Sequence, residues 1–124
     1  MNAALRELHR HGFTDLRHHH FLHVSRWLSP AGRRPSELAE DAGISRQAMS
    51  DLLTELEGLG YVKRIPDPSD ARARLIIPAE RGYAADAILQ AFWQSRELQL
   101  REQYGDARVY DVSEIILAYQ EAVK

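Results

Sequence analysis

Between Pro35 and Gly60 the sequence encodes two helical stretches with almost nothing between them, and this limits the fold more than any other part of the chain. Pro35 suits the first turn of a helix over Ser36–Ala42, because the N–H it lacks is one that a helix start leaves unpaired anyway. Gly43 and Ile44 leave room only for a tight turn, and Gly43 is able to take a positive φ. Ser45 has the side chain of an N-cap and opens a second helix that runs to about Leu59 and Gly60. On a helical wheel Ala48, Met49, Leu52, Leu53, Leu56 and Leu59 share one apolar arc, and Arg46, Gln47, Ser50, Asp51, Thr54 and Glu57 fill the rest. Ala39 is small where the two helices must cross, and Leu38, Met49 and Leu52 can close the crossing. The segment is expected to be a helix-turn-helix.

Two apolar runs follow at once. Tyr61-Val62-Lys63-Arg64-Ile65 and Arg74-Leu75-Ile76-Ile77 have strand character, and Pro66-Asp67-Pro68-Ser69-Asp70-Ala71 between them is rich in turn residues. This predicts a hairpin, a wing, on which Lys63, Arg64, Arg72 and Arg74 stand against Asp67 and Asp70; one of Lys63 and Arg64 can simply decorate a solvent face. Upstream, Asn2 to about His11 reads as a short helix stopped by Gly12. Thr14 or Asp15 can cap a second helix that reaches about Leu28, before Ser29-Pro30-Ala31-Gly32 breaks the chain. Downstream, the apolar residues from about Ala79 to Tyr104 cover more than one face of a long helix, which calls for two packing partners. Gly105 ends it, and Asp111 with Glu114 forms a capping box for a last helix.

With 124 residues, 44% of them hydrophobic, the chain is long enough for one compact domain. It has no cysteine, so disulfides and thiolate metal sites are excluded. MNAALRELHRHGF offers no apolar stretch of the signal-peptide kind and nothing elsewhere approaches membrane-spanning length, so a cytoplasmic protein with no membrane partner is expected. The net charge of −2 has the wrong sign for holding nucleic acid by bulk electrostatics, so local cations must do that work.

The polar side of the second helix of the pair supplies such a pattern. Arg46, Gln47 and Ser50 are side-chain types that donate to guanine, pair bidentately with adenine, or hold phosphate. From Arg34 to Gly82 the chain carries ELA-x-x-x-G-I-S over Glu37–Ser45, L-x-x-L-x-x-x-GYV over Leu53–Val62 and DP-x-D-x-R over Asp67–Arg72. In these motifs it resembles the MarR family of bacterial winged-helix regulators. The resemblance implies a mainly α fold with a small β-hairpin: a winged helix-turn-helix core over residues 14–82 and dimerisation helices over 1–13 and 83–124, all in one MarR-like domain. It also implies a homodimer on a pseudo-palindrome of double-stranded DNA, acting as a repressor or other regulator, with recognition helices in successive major grooves and each wing arginine in a minor groove. On this sequence the recognition-helix contacts would be Ser45, Arg46, Gln47, Ser50 and Thr54. The wing would contribute Asp70, Arg72 and Arg74, with Asp70 pinning Arg72, and Arg34 and Ser36 would hold the backbone. The chain departs from the family at Ala71, where many relatives have a further basic residue, at Pro78-Ala79 in place of Leu-Thr, and in its shorter first helix.

The second conspicuous feature is histidine. His18, His19, His20 and His23 lie together, and His19 with His23, or His20 with His23, has the spacing of two zinc nitrogens on one helix face. The resemblance implies instead a crevice for a small aromatic or anionic effector, lined by Phe13, His20, His23 and Trp27. No cofactor is expected. Two other readings stand beside the DNA regulator: a winged helix that binds protein and ignores DNA, and a zinc-responsive regulator using the cluster from His18 to His23. With no nucleophilic Cys, no Gly-rich phosphate loop and no recognisable Ser, His and acid set, an enzyme is not expected.

Overall fold

The computed structural model describes residues 2–25 and 28–123. The chain forms two compact units, residues 1–89 and 90–124.

In the first unit, α1 (Ala3–Arg10) is capped by Asn2, whose Oδ1 accepts the Leu5 N–H at 2.8 Å. It buries Ala4, Leu5 and Leu8. The expected long second helix is instead a single α turn, α2 (His18–His20), that widens into a π-helical turn over Phe21–Ser25. Neither Thr14 nor Asp15 caps it. The Arg17 N–H at its start is taken by Nδ1 of His20, 3.0 Å away, and Asp15 is used elsewhere. α3 (Pro35–Ala42) starts with Pro35 at its first position, and Glu37 accepts the Arg34 N–H at 2.9 Å. Gly43 takes φ 70°, a conformation that only glycine adopts without strain, and turns the chain into α4 (Arg46–Gly58). Ser45 caps α4 by accepting the Ala48 N–H at 3.0 Å. Leu38, Ala39, Met49, Leu52, Leu53 and Leu56 are all buried between the helices, as the apolar arc requires, but Ala48 at the edge of that arc is exposed.

The hairpin is longer than the apolar runs suggested. β1 (Val62–Asp67) pairs antiparallel with β2 (Asp70–Pro78), so only Pro68 and Ser69 lie outside the strands. Pairing is regular from Val62↔Pro78 to Pro66↔Arg74 and then jumps to Asp67↔Asp70, which leaves Ala71, Arg72 and Ala73 bulged out of the ladder. Arg33 adds a short third rung: its N–H donates to the Ile76 carbonyl at 3.0 Å, and the Ile76 N–H donates back at 2.7 Å. β2 is thus held from both sides, and Ile76 is fully buried.

α5 (Glu80–Tyr104) leaves the hairpin with Ala85 buried in this core and Ile88 and Leu89 packed on it. A single polar cluster fastens its start. The Arg81 guanidinium donates to both oxygens of Asp15 (2.8 and 3.2 Å) and to the Leu59 carbonyl (2.8 Å), and it lies 4.4 Å over the Tyr61 ring. The Tyr61 hydroxyl also donates to Asp15. The arginine holds the Asp15 carboxyl below its usual range, and burial pushes the Tyr61 hydroxyl upward. Asp15 therefore joins the lead into α2, the exit of α4 and the start of α5.

The second unit comprises the end of α5 and α6 (Asp106–Val123), separated by Gly105 at φ 85°. α6 begins at Asp106 and not at the expected capping box, so Asp111 and Glu114 are exposed residues inside a helix already under way. Arg101 bridges Glu97 at 2.8 Å and Asp106 at 3.4 Å. Tyr110, Val112, Ile115, Ile116, Leu117 and Tyr119 all stand exposed on α6. No helix among the described residues is long and apolar enough to cross a membrane.

Candidate nucleic-acid interface

The first turn of α4 carries Ser45, Arg46 and Gln47, all exposed. Because Ser45 Oγ accepts an N–H of its own helix, its hydroxyl hydrogen is free to donate outward, at a helix terminus whose dipole already favours anions. Arg46 is exposed, and among the described residues its guanidinium has no partner. Gln47 donates from Nε2 to Asp51 Oδ1 at 2.9 Å.

Ser50 and Thr54 are more deeply engaged. The Thr54 hydroxyl donates to the Ser50 carbonyl at 2.9 Å and accepts from Nη2 of Arg64 at 3.1 Å. Arg64 also reaches the Ser50 carbonyl at 3.5 Å and Glu57 at 3.6 Å. Its expected role on the wing thus becomes one of docking β1 against α4 and offsetting Glu57. No signal in the sequence separated it from Lys63, which is exposed and without a partner among the described residues.

At the wing, Arg72 rides on the exposed bulge, with no partner for its guanidinium among the described residues. Asp70 does not pin that guanidinium. Its Oδ1 accepts the backbone N–H of Arg72 at 3.0 Å, which fixes the turn and leaves the side chain free. Arg74 is exposed, and among the described residues its side chain reaches only the carbonyl of Ala73, at 3.4 Å. The pairing of carboxylate and guanidinium occurs one step away: Asp67, buried, accepts from Nε of Arg34 at 2.8 Å, with Nη2 in ion-pair contact at 2.7 Å. Its other oxygen takes the N–H and hydroxyl of Ser69 at 2.9 and 2.8 Å. These bonds, the Ser69 pair foremost, hold the Asp67 carboxyl below its ordinary range. Arg34 therefore ties the start of α3 to the hairpin turn, and only the rest of its fork is left for a phosphate. Ser36 lies half-buried in the first turn of α3.

The histidines assemble differently from their spacing. His19, His20 and Glu55 of α4 have ligand atoms within 4.8 Å of one another, and His23 is not among them. The π-helical turn explains this, since its larger number of residues per turn rotates His23 off the face that an i, i+4 count assigns it. His20 is buried, with Nδ1 accepting from Arg17, so its ring proton sits on Nε2, 3.2 Å from Glu55 but off the axis of a hydrogen bond. A metal at Nε2 would need the lone pair that this proton occupies, so the donor set fits a neutral histidine facing a carboxylate and does not fit a zinc ligand. Burial and the neighbouring His19 push the His20 pKa down, against the pull of Glu55. Phe13 packs in the Arg81 and Tyr61 cluster, with its ring 6.2 Å from that of Tyr61. Phe13 and His20 therefore serve two separate clusters, and Trp27 lies outside the described residues.

The family model described as MarR family matches residues 11–73 of this chain. No curated protein matches it. Among solved structures, it is similar to Streptococcus pneumoniae FabT in complex with DNA, at 15% identity and a TM-score of 0.74, over 97% of this chain and 87% of that one. A mutant of S. aureus MepR bound to an oligodeoxyribonucleotide aligns at 16% identity and a TM-score of 0.58, over 98% and 87% of the two chains. A transcriptional regulator from Thermotoga maritima aligns at 16% and 0.66, over 97% and 85%.

Proposed function

This chain belongs to the MarR family of transcription regulators, and we propose that it reads double-stranded DNA by sequence, as a homodimer on a pseudo-palindromic operator. One observation carries the reading. Arg46 at the start of α4 and Arg72 on the wing bulge are exposed and unspent, while Asp15, Asp41, Glu57 and Asp67 of the same unit are each paired with an arginine. Both stand where a major-groove helix and a minor-groove wing would use a free cation.

In this reading Arg46, Gln47 and Ser50 meet base edges, Ser45, Ser36 and the free part of the Arg34 fork hold phosphate, and Arg72 enters a narrow minor groove beside Arg74. Thr54 acts from behind, through Arg64. The many exposed large apolar residues of α6 support a second copy as their cover, because soluble monomers seldom leave so much apolar surface bare. Residues 14–82 are then the reader, and 1–13 with 83–124 serve dimerisation, within one functional domain. A small aromatic or anionic effector would regulate only by binding one spacing of the two readers better than the other. Such a protein works in the cytoplasm beside its operator, where a repressor acts by occupancy.

The test is a titration of the purified protein against DNA from upstream of its own gene, with random DNA as control, at low and near-physiological salt. Saturable, selective and salt-weakened binding is expected. Arg72→Ala should cost roughly tenfold in affinity and lower the salt slope by about one. Full affinity in that variant would overturn the wing assignment, and no preference over random DNA would overturn the function.

A further inference from the structure

The three carboxylates on α4 are all exposed, but Glu55 lies beside the His20 ring and Glu57 beside Arg64, each against an ionisable group of another element. Asp51 differs. It is exposed, one helical turn after Gln47, and its only described contact is the amide of that residue. A bare negative charge on the side of a helix that meets DNA weakens binding to every sequence, so its presence there needs a reason.

The hydrogen bond supplies one. An ionised carboxylate only accepts, so the end of the Gln47 amide turned toward Asp51 must be the nitrogen. One of its two N–H groups is thereby used, and the other remains with Oε1 as a donor and an acceptor on one planar amide. The major-groove edge of adenine offers the complement, an N7 acceptor and an N6 donor, whereas guanine offers two acceptors at N7 and O6. Against guanine, Oε1 would meet another lone pair and the Asp51 charge would add repulsion. Without Asp51 the amide is free to rotate, which costs entropy on binding and allows the mismatched orientation.

We propose that Asp51 is a specificity-determining residue that orients Gln47 as an adenine reader and disfavours guanine at the same base pair. This rests on the reading of α4 as the recognition helix. Asp51 gives up general affinity for DNA in exchange for discrimination at one position of each half-site.

The experiment selects preferred duplexes from a randomised DNA library with the wild-type chain, then titrates single-pair variants of the selected sequence with wild type, Asp51→Ala, Asp51→Asn, Gln47→Ala and the Gln47→Ala/Asp51→Ala double variant. Wild type should select adenine at one position per half-site. Asp51→Ala should lose roughly tenfold of its preference for adenine over guanine there and nowhere else, within the range expected of one bidentate pair. It should also bind random DNA a few-fold more tightly. Asp51→Asn should relax the same position, because its own amide can also donate to Oε1 and so permits both orientations. In the Gln47→Ala background, removing Asp51 should change nothing at that position. An unchanged preference in Asp51→Ala, a loss spread equally over all positions, or the same loss without Gln47 overturns the inference while leaving the DNA reading intact. Failure of wild type to select any sequence overturns both.

Discussion

Gly82 lies in the first turn of α5, where a helix ordinarily gains from alanine, yet its surroundings reverse the sign. A Cβ built there would fall 2.2 Å from the Tyr61 carbonyl oxygen, and 3.5 Å from the Pro78 Cβ on another side. That carbonyl cannot easily turn away, since it already accepts the Ala79 N–H at 2.9 Å, and Tyr61 is held by Asp15 and Arg81. Replacing a helical glycine with alanine is worth about 1 kcal/mol of stabilisation in open surroundings. Forcing an atom into a packed site costs about 1–3 kcal/mol, and with backbone as the obstacle the upper end applies. Gly82→Ala should therefore lose about 2 kcal/mol net, which at a urea slope of about 1–3 kcal/mol/M lowers the unfolding midpoint by roughly 1 M. Gly58 in α4 is the internal control, because nothing lies within 4 Å of its added Cβ and its φ is not positive. Gly58→Ala should raise stability by up to about 1 kcal/mol. Urea melts followed by circular dichroism, at one fixed protein concentration because association contributes to stability, decide the matter. A Gly82→Ala chain as stable as wild type would refute the close approach of α5 to the Tyr61 carbonyl at the entry to β1.

Two further outcomes follow from the same structure. His20 is held neutral by burial, so the unfolded chain, titrating near 6.5, binds the proton more readily; its contribution should be complete above that value and decline as pH falls below it, and His20→Phe should flatten the loss measured in urea melts between about pH 7.5 and 5.5. Ile116→Glu on the exposed face of α6 should weaken self-association at least about tenfold in sedimentation equilibrium without lowering helix content, and an unchanged association would send the dimer interface elsewhere.

The helix-turn-helix was legible because each of its devices is local. Pro35, Gly43 and Ser45 act within a few residues of themselves, and the apolar arc of α4 reports its own buried face. The hairpin was legible in kind but not in length, because its turn is closed by Asp67, which is satisfied by Ser69 nearby and by Arg34 thirty-three residues away. The second helix was misread for the same reason. Asp15 has the composition of an N-cap, but Arg81 and Tyr61 compete for its carboxylate and win, and a side-chain nitrogen of His20 caps the shorter helix instead. The histidine spacing misled because it presumes 3.6 residues per turn through a segment that folds as a π-helix.

The net charge, which argued against a DNA reader, looks different once it is divided along the chain. Residues 90–124 contain six Asp and Glu against four Lys and Arg, so the whole excess of −2 belongs to them, and residues 1–89 are balanced. Balance there conceals an ordering: acids are consumed in joining elements, Asp15 to α5, Asp41 to the rung at Arg33, Asp67 to the start of α3 and Glu57 to β1. Each such pair neutralises an acid that would otherwise repel phosphate and fixes the geometry of the elements that carry Arg46 and Arg72. Ion pairs of this partly exposed kind add little stability. Their larger consequence is electrostatic, because a neutral unit that presents few free cations, Arg46 at a helix start and Arg72 on a strand bulge among them, binds phosphate through few contacts. The salt dependence of binding should accordingly be shallow for a DNA reader, and base discrimination should supply a large share of its selectivity.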